Sequence, residues 1–239
     1  KKVDYANDAQ AHNWGAAGSS ASAMIADYLT GSGILMVDRD GATITSHDAW
    51  AEAKQRAIDR MNGNTYMTNV EGLCPSYDFG KGIRPDGGIP WELLRGSTGC
   101  DGLWIVALDQ SWTYMQAHLT PAILQAEVFL RRGDPSLYTH IASDGDGSLL
   151  RGVYFLIHNP NDVSKSVSWS SDRKGPLEYL YRFYATQGTL DPYIGAQLGI
   201  GGSRIITAEG INQATNFTTL THGFAVGETP TPPPVTPAP

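Results

Sequence analysis

DQSWTYMQAHLTPAILQAEVFLRR, residues 109–132, is the stretch on which the fold turns. Trp112, Met115, Leu119, Ile123, Ala126 and Leu130 recur at three- and four-residue intervals, which places them on one face of a helix. A helix of that length spans roughly 36 Å at 1.5 Å per residue, enough to run the full depth of a small domain. Pro121 falls inside it and either kinks or restarts it, because proline removes one backbone donor and crowds the preceding turn.

Working outward, residues 64–108 read as loop. Glycines, prolines and both cysteines gather there, and the only helical candidate is a short turn at Trp91–Leu94. A loop that long inside a compact domain is usually functional or stapled. Before it, residues 47–62 form a clear amphipathic helix with Trp50, Ala53, Ala57, Ile58 and Met61 as its stripe, Ser46 as N-cap and Gly63 as the stop. Residues 14–30 are rich in Ala, Ser and Gly, the composition of an inner helix whose neighbours approach closely, and Gly31 ends it. After the central helix, 148–158 and 176–187 give two more, the latter carrying Leu177, Leu180, Tyr181 and Tyr184. Beyond Gly188 the chain becomes Gly/Thr-rich and β-permissive, as at Arg204–Thr207. The pattern predicts a mostly α fold of stacked helical hairpins with long loops and a small irregular or β C-terminal part. Residues 1–227 make the domain. Residues 228–239 (ETPTPPPVTPAP) are a Pro/Thr linker, extended and unable to pack.

Composition narrows the function. The chain has 239 residues and a net charge of −7, which disfavours nucleic acid and anionic membranes, since both reward basic patches. No apolar run reaches the 18 residues a membrane span needs. Six Trp and eleven Tyr against 17% charged residues suit either an aromatic core or a sugar-binding groove, where rings offer an apolar face with a polar edge. Cys74 and Cys100 lack metal-site spacing, and outside the cell they would most simply form one disulfide, the alternative being two buried thiols. Lys1-Lys2-Val3-Asp4 leads into polar sequence, so no signal peptide is visible. A secreted protein would therefore be represented here by its processed or truncated form.

Several residues carry candidate chemistry. Asn13, in His12-Asn13-Trp14, reads first as an N-cap, and alternatively as a donor to a carboxylate or an enolate-like intermediate. Glu92 and Arg95, three apart, read as a surface pair, or as an arginine shaped for a carboxylate beside an acid. Tyr114 reads as core or as a proton-transfer group. His118, one turn further on the same face, reads as a hydrogen-bonded structural residue or a general base near working pH. Trp169, Arg173, Lys174, Glu178 and Arg182 form either a solvated helix end or a basic wall for acidic sugars. Asp144-Gly145-Asp146-Gly147-Ser148 lacks the final Glu of a calcium loop and is a turn.

Two segments together resemble the alginate lyase superfamily, the helical-toroid polysaccharide lyases: Trp91-Glu92-Leu93-Leu94-Arg95-Gly96 and Tyr114-Met115-Gln116-Ala117-His118-Leu119-Thr120-Pro121. His12-Asn13-Trp14-Gly15-Ala16-Ala17 is similar to the family's Gly-Asn-Trp variant at the head of an Ala-rich helix. The resemblance spans about residues 8–187 and implies a secreted enzyme on a partial (α/α) toroid that cleaves a uronic-acid polymer by β-elimination. On it, Asn13, with His12, neutralises the uronate carboxylate. Tyr114 or His118 takes the C5 proton, Tyr114 returns one to the leaving oxygen, and Arg95 holds the charge. Trp14, Trp91, Glu92, Gln116 and Arg173 line the substrate, an acidic polysaccharide, and no metal or cofactor is required. The chain departs from the family where Trp14 takes the place of a histidine, and where 19 positions and Cys100 separate Arg95 from Tyr114. The Asn motif lies at position 13, so the helices that precede it in the family are expected to be missing, removed, or supplied by another chain or segment that completes the toroid.

Two rivals come from other classes. A toroid glycoside hydrolase would use Glu92 with Asp86 or Asp101 as its carboxylate pair. A catalytically inactive carbohydrate-binding or structural module would keep the groove aromatics and tolerate loss of Tyr114 and His118.

Overall fold

The computed structural model describes residues 12–38, 41–63, 82–85, 87–93, 108–141, 149–158, 175–187 and 192–198. These residues are mostly helical. In chain order they form α1 (Asn13–Leu29), β1 (Met36–Val37), β2 (Thr43–Ile44), α2 (Ser46–Asn62), α3 (Pro90–Leu93), α4 (Leu108–Arg131), α5 (Ser136–Thr139), α6 (Leu149–His158), α7 (Gly175–Thr186) and α8 (Pro192–Gln197).

The central helix read from the 109–132 pattern is α4, and it is the spine of the molecule: α1, α3, α5, α6 and α7 all pack on it. Its apolar positions Met115, Leu119, Ile123, Ala126 and Phe129 are fully buried. The helix continues through Pro121 without interruption. Packing on five other elements outweighs the roughly 3 kcal/mol that an internal proline costs an isolated helix.

Helix direction follows from the side chains that cross between elements. Ser19 donates to Gln125 Oε1 (2.9 Å) and Gln125 Nε2 donates to the Ala53 carbonyl (2.8 Å), which ties α1, α4 and α2 at one level. One turn-pair further along, Arg132 bonds Asp27, so α1 and α4 run parallel. Trp50 stacks on Phe129 with ring centroids 3.9 Å apart while Ala53 meets Gln125, so α2 runs antiparallel to α4. Alanine and serine on α1 permit this: Gly15, Ala16, Ser19, Ser20, Ser22, Ala23 and Ala26 are its buried residues, and none holds the neighbouring backbones apart. α7 also packs on α4, and it meets α5, where Tyr138 stacks on Phe183 at 4.4 Å and the Tyr184 hydroxyl donates to the Tyr138 carbonyl.

Several details differ from expectation. The α2 cap is Thr45, not Ser46: its hydroxyl accepts from the Asp48 amide and Asp48 returns a bond to the Thr45 amide, a reciprocal box that Ser46, already helical, cannot make. Gly63 ends α2 in the left-handed region (φ 76), as its position suggests. Between α1 and α2 lies an antiparallel ladder, Met36 opposite Ile44 and Val37 opposite Thr43, with strands too short to show alternation in sequence. Residues 192–197 are helical rather than β-permissive, and Pro192 supplies the fixed φ that suits a first helical position. Arg204–Thr207, the calcium-loop-like Asp144–Ser148, the Pro/Thr linker and both cysteines lie outside the described residues. Among the described residues, no helix is long and apolar enough to cross a membrane.

Candidate functional site

The four-residue helix α3 is too short to hold itself and is fixed by burial: Ile89 and Leu93 enter the core, and Glu92 lies between them with no exposed surface. Glu92 Oε1 meets His118 Nδ1 of α4 at 3.1 Å. The two side chains are 0% and 5% exposed. Glu92 is therefore no surface partner for a neighbouring arginine; α3 lays it onto α4, where it faces an imidazole. A carboxylate on one ring nitrogen fixes the orientation of the imidazole.

Around this pair the elements converge. Arg60, buried at the end of α2, shares a small cavity with His118, Gln125 and the apolar Ile83 and Leu149. The cavity measures about 10 Å³, the room of a single water molecule, and admits no sugar. Gly82 is obligatory beside it: a Cβ there would stand 2.3 Å from the Arg60 and Met61 carbonyls, and its φ is +55. Gly87, at φ +89, likewise has no room for a side chain, with the Arg151 carbonyl of α6 2.1 Å from where a Cβ would sit.

The α1 terminus belongs to this end of the bundle. Ser19 and Gln125 are level, and α1 and α4 run parallel, so six residues back along each helix Asn13 stands at the height of Leu119, the residue that follows His118 in α4. Tyr114, half-buried, lies one turn before His118 on α4, further toward that end. His12, rather than Asn13, caps α1: its extended backbone (φ −99) lets Nδ1 accept from the Trp14 amide at 3.2 Å, while Asn13 is already the first helical residue. Trp14 projects outward, 57% exposed, with the His12 ring edge-on to it at 5.7 Å.

Helix directions thus bring His12, Asn13, Trp14, Glu92, Tyr114 and His118 to one end of the bundle. Gln116 is there too, but buried, as is Glu92, so neither presents a side chain to solvent. Trp91 is in α3 and nothing further of it is described. Arg95, Arg173, Cys74 and Cys100, together with Asp86, Asp101, Trp169 and Lys174, lie outside the described residues. Glu178 is fully buried in α7, not part of a solvated helix end, and Arg182 is half-buried. Arg60 escaped the sequence reading. The available signal was its place three residues after Ala57 on the apolar stripe of α2, where a charge is out of pattern.

No family model, curated protein or solved structure matches the chain.

Proposed function

We propose that the chain is a polysaccharide lyase acting on a uronic-acid-containing polymer such as alginate or glucuronan, on a partial (α/α) toroid, outside the cell. What supports this most is a single juxtaposition: the three segments that carry the resemblance reach one end of the bundle, where α1 begins level with the His118 turn of α4 and Glu92 of α3 bonds His118. β-Elimination needs a donor for the uronate carboxylate, a group to take the C5 proton and an acid for the leaving oxygen. On this reading Asn13 donates to the carboxylate, and half-buried Tyr114 exchanges the proton. His118 is too enclosed to meet a polymer itself, so with Glu92 it holds the α4 turn that carries Tyr114. Arg95 is assigned to charge stabilisation by resemblance alone, and a Cys74–Cys100 disulfide belongs to the same extracellular reading.

Unsaturated uronates absorb in the near ultraviolet, so the test is absorbance on a panel of alginate, glucuronan and related polymers, beside Tyr114→Phe. A rise with the parent chain that drops by about 10²–10⁴-fold in Tyr114→Phe supports the reading. No rise on any polymer from folded protein sinks it.

One observation favours a second reading, a non-catalytic carbohydrate-binding or structural module: the Glu92–His118 pair and Gln116 are as buried as core residues. The hydrolase alternative gains nothing from the geometry, since Glu92 faces an imidazole.

A further inference from the structure

α1 is amphipathic in reverse. Its three serines, Ser19, Ser20 and Ser22, are buried on the side that meets α2 and α4. The opposite side carries Trp14, Ala17, Gly18, Ala21, Ile25 and Tyr28, whose spacings of three, four and seven put them on one stripe. None of them is charged, and the two large rings at its ends stand out, Trp14 57% and Tyr28 86% exposed. The outer face of α2 shows the ordinary alternative, with Glu52 paired to Arg56 and Gln55 to Asp59 across it. An uncharged stripe along the whole of a 17-residue helix is the mark of a contact surface.

The order of residues along the stripe says what fits it. When two copies of α1 pair antiparallel about a two-fold axis at Ala21, Trp14 meets the partner's Tyr28, Ala17 meets the partner's Ile25 and Gly18 meets the partner's Met24. Small residues then face large ones. A parallel pairing would set Trp14 on its own copy and leave Ala17, Gly18 and Ala21 facing one another across a gap. Charge agrees with the antiparallel choice. Asp27, the acid in the last turn of α1, comes to the first turn of the partner helix, which has no acid of its own and is the positive end of its dipole. Chains carrying −7 repel one another in general, and α1 offers them a face without charge. Area suffices as well. At roughly 150–250 Å² per aromatic side chain, the exposed parts of Trp14 and Tyr28 from two copies give about 400–700 Å². Ala17, Ala21 and Ile25, with exposed Ile34 and Leu35 just past the end of α1, bring this to the ~1,000 Å² of a specific interface.

We infer that the outer stripe of α1 is an interface with a second copy of this chain, the two helices antiparallel across Ala21. Such a dimer does not depend on the proposed activity. It takes Trp14 from the substrate groove, where the resemblance places it, to a contact between copies.

The test is the mass of the full chain in solution by sedimentation equilibrium at micromolar concentration. The parent is expected at twice its 25.7 kDa. Trp14→Lys, Tyr28→Glu and Ala21→Glu, the last setting two carboxylates across the axis, are each expected to raise the dissociation constant at least about ten-fold. These side chains are on the outer face, so the circular dichroism should match the parent. Trp14→Lys mixed with Tyr28→Glu is expected to dimerise again, because the new opposite charges face one another in the mixed pair. A parent that stays at 25.7 kDa overturns the dimer and leaves the stripe to a partner of another kind. A dimer indifferent to all three substitutions overturns the assignment to α1, and a mixture that stays monomeric overturns the antiparallel seating.

Discussion

Glu92 and His118 show how burial changes the meaning of a residue. In the sequence each is a plausible substrate-facing group, Glu92 by its place beside Arg95 and His118 by its spacing from Tyr114. In the molecule each is enclosed and faces the other at 3.1 Å. Removing one member of such a pair leaves a desolvated group behind, which commonly destabilises by about 3–5 kcal/mol, whereas replacing both with apolar residues is often close to neutral. His118→Leu is therefore expected to lose about 3 kcal/mol in urea unfolding, and Glu92→Leu with His118→Leu to recover most of it. Losses that simply add in the double variant would show that the two do not stabilise one another. The types at 92 and 118 were legible; their pairing was not, because 26 positions and a long loop-like stretch separate them.

Elements were the most legible level, and their ends show why. Period-3.6 patterning located α1, α2, α4, α6 and α7 to within a residue or so, because a buried apolar stripe repeats many times along each. Caps are decided by single side chains and are easily assigned one residue off. Thr45 and Ser46 are chemically alike, and only the backbone shows that Thr45 is extended and its hydroxyl accepts from Asp48 at 3.1 Å. Thr45→Ala is accordingly expected to cost about 1 kcal/mol, read from the urea midpoint, and Ser46→Ala far less. Equal losses at the two positions would return the cap to Ser46. The short α5 and α8 and the two-residue strands left too few repeats to register in the sequence.

At the scale of the whole molecule, α4 collects the polar groups that the fold buries. Beside its C-terminal half, Glu127 accepts from the Tyr138 hydroxyl at 3.3 Å and from Arg131 at 3.0 Å. Burial, reinforced by Glu127, pushes the Tyr138 phenol well above its ordinary 10.0. Burial likewise pushes Tyr179 up to about 12, against the opposing pull of Arg131. A phenol whose pKa is raised on folding contributes stability that is fully present below the unfolded value and lost as pH rises toward the folded one. The urea midpoint should thus be insensitive to these tyrosines below about pH 10 and decline from there toward 12, with a shallower decline in Tyr179→Phe. The same slope in parent and variant would show that the phenol already ionises normally in the folded chain.

Local pattern alone marks a mostly helical chain with its long central helix near 109–132, and it names the residue types able to do chemistry. Both follow from local information: an apolar period repeated over several turns, and side-chain functional groups that do not depend on context. Which of those groups meet, and which face outward, follows from the packing of the helices. The parallel run of α1 with α4 puts Asn13 level with the His118 turn, the seating of α3 encloses Glu92, and the His12 cap turns Trp14 to solvent. The physical reason is that helix direction and burial are set by contacts between residues far apart in the chain, such as Ser19 with Gln125 and Asp27 with Arg132. No local pattern encodes those contacts.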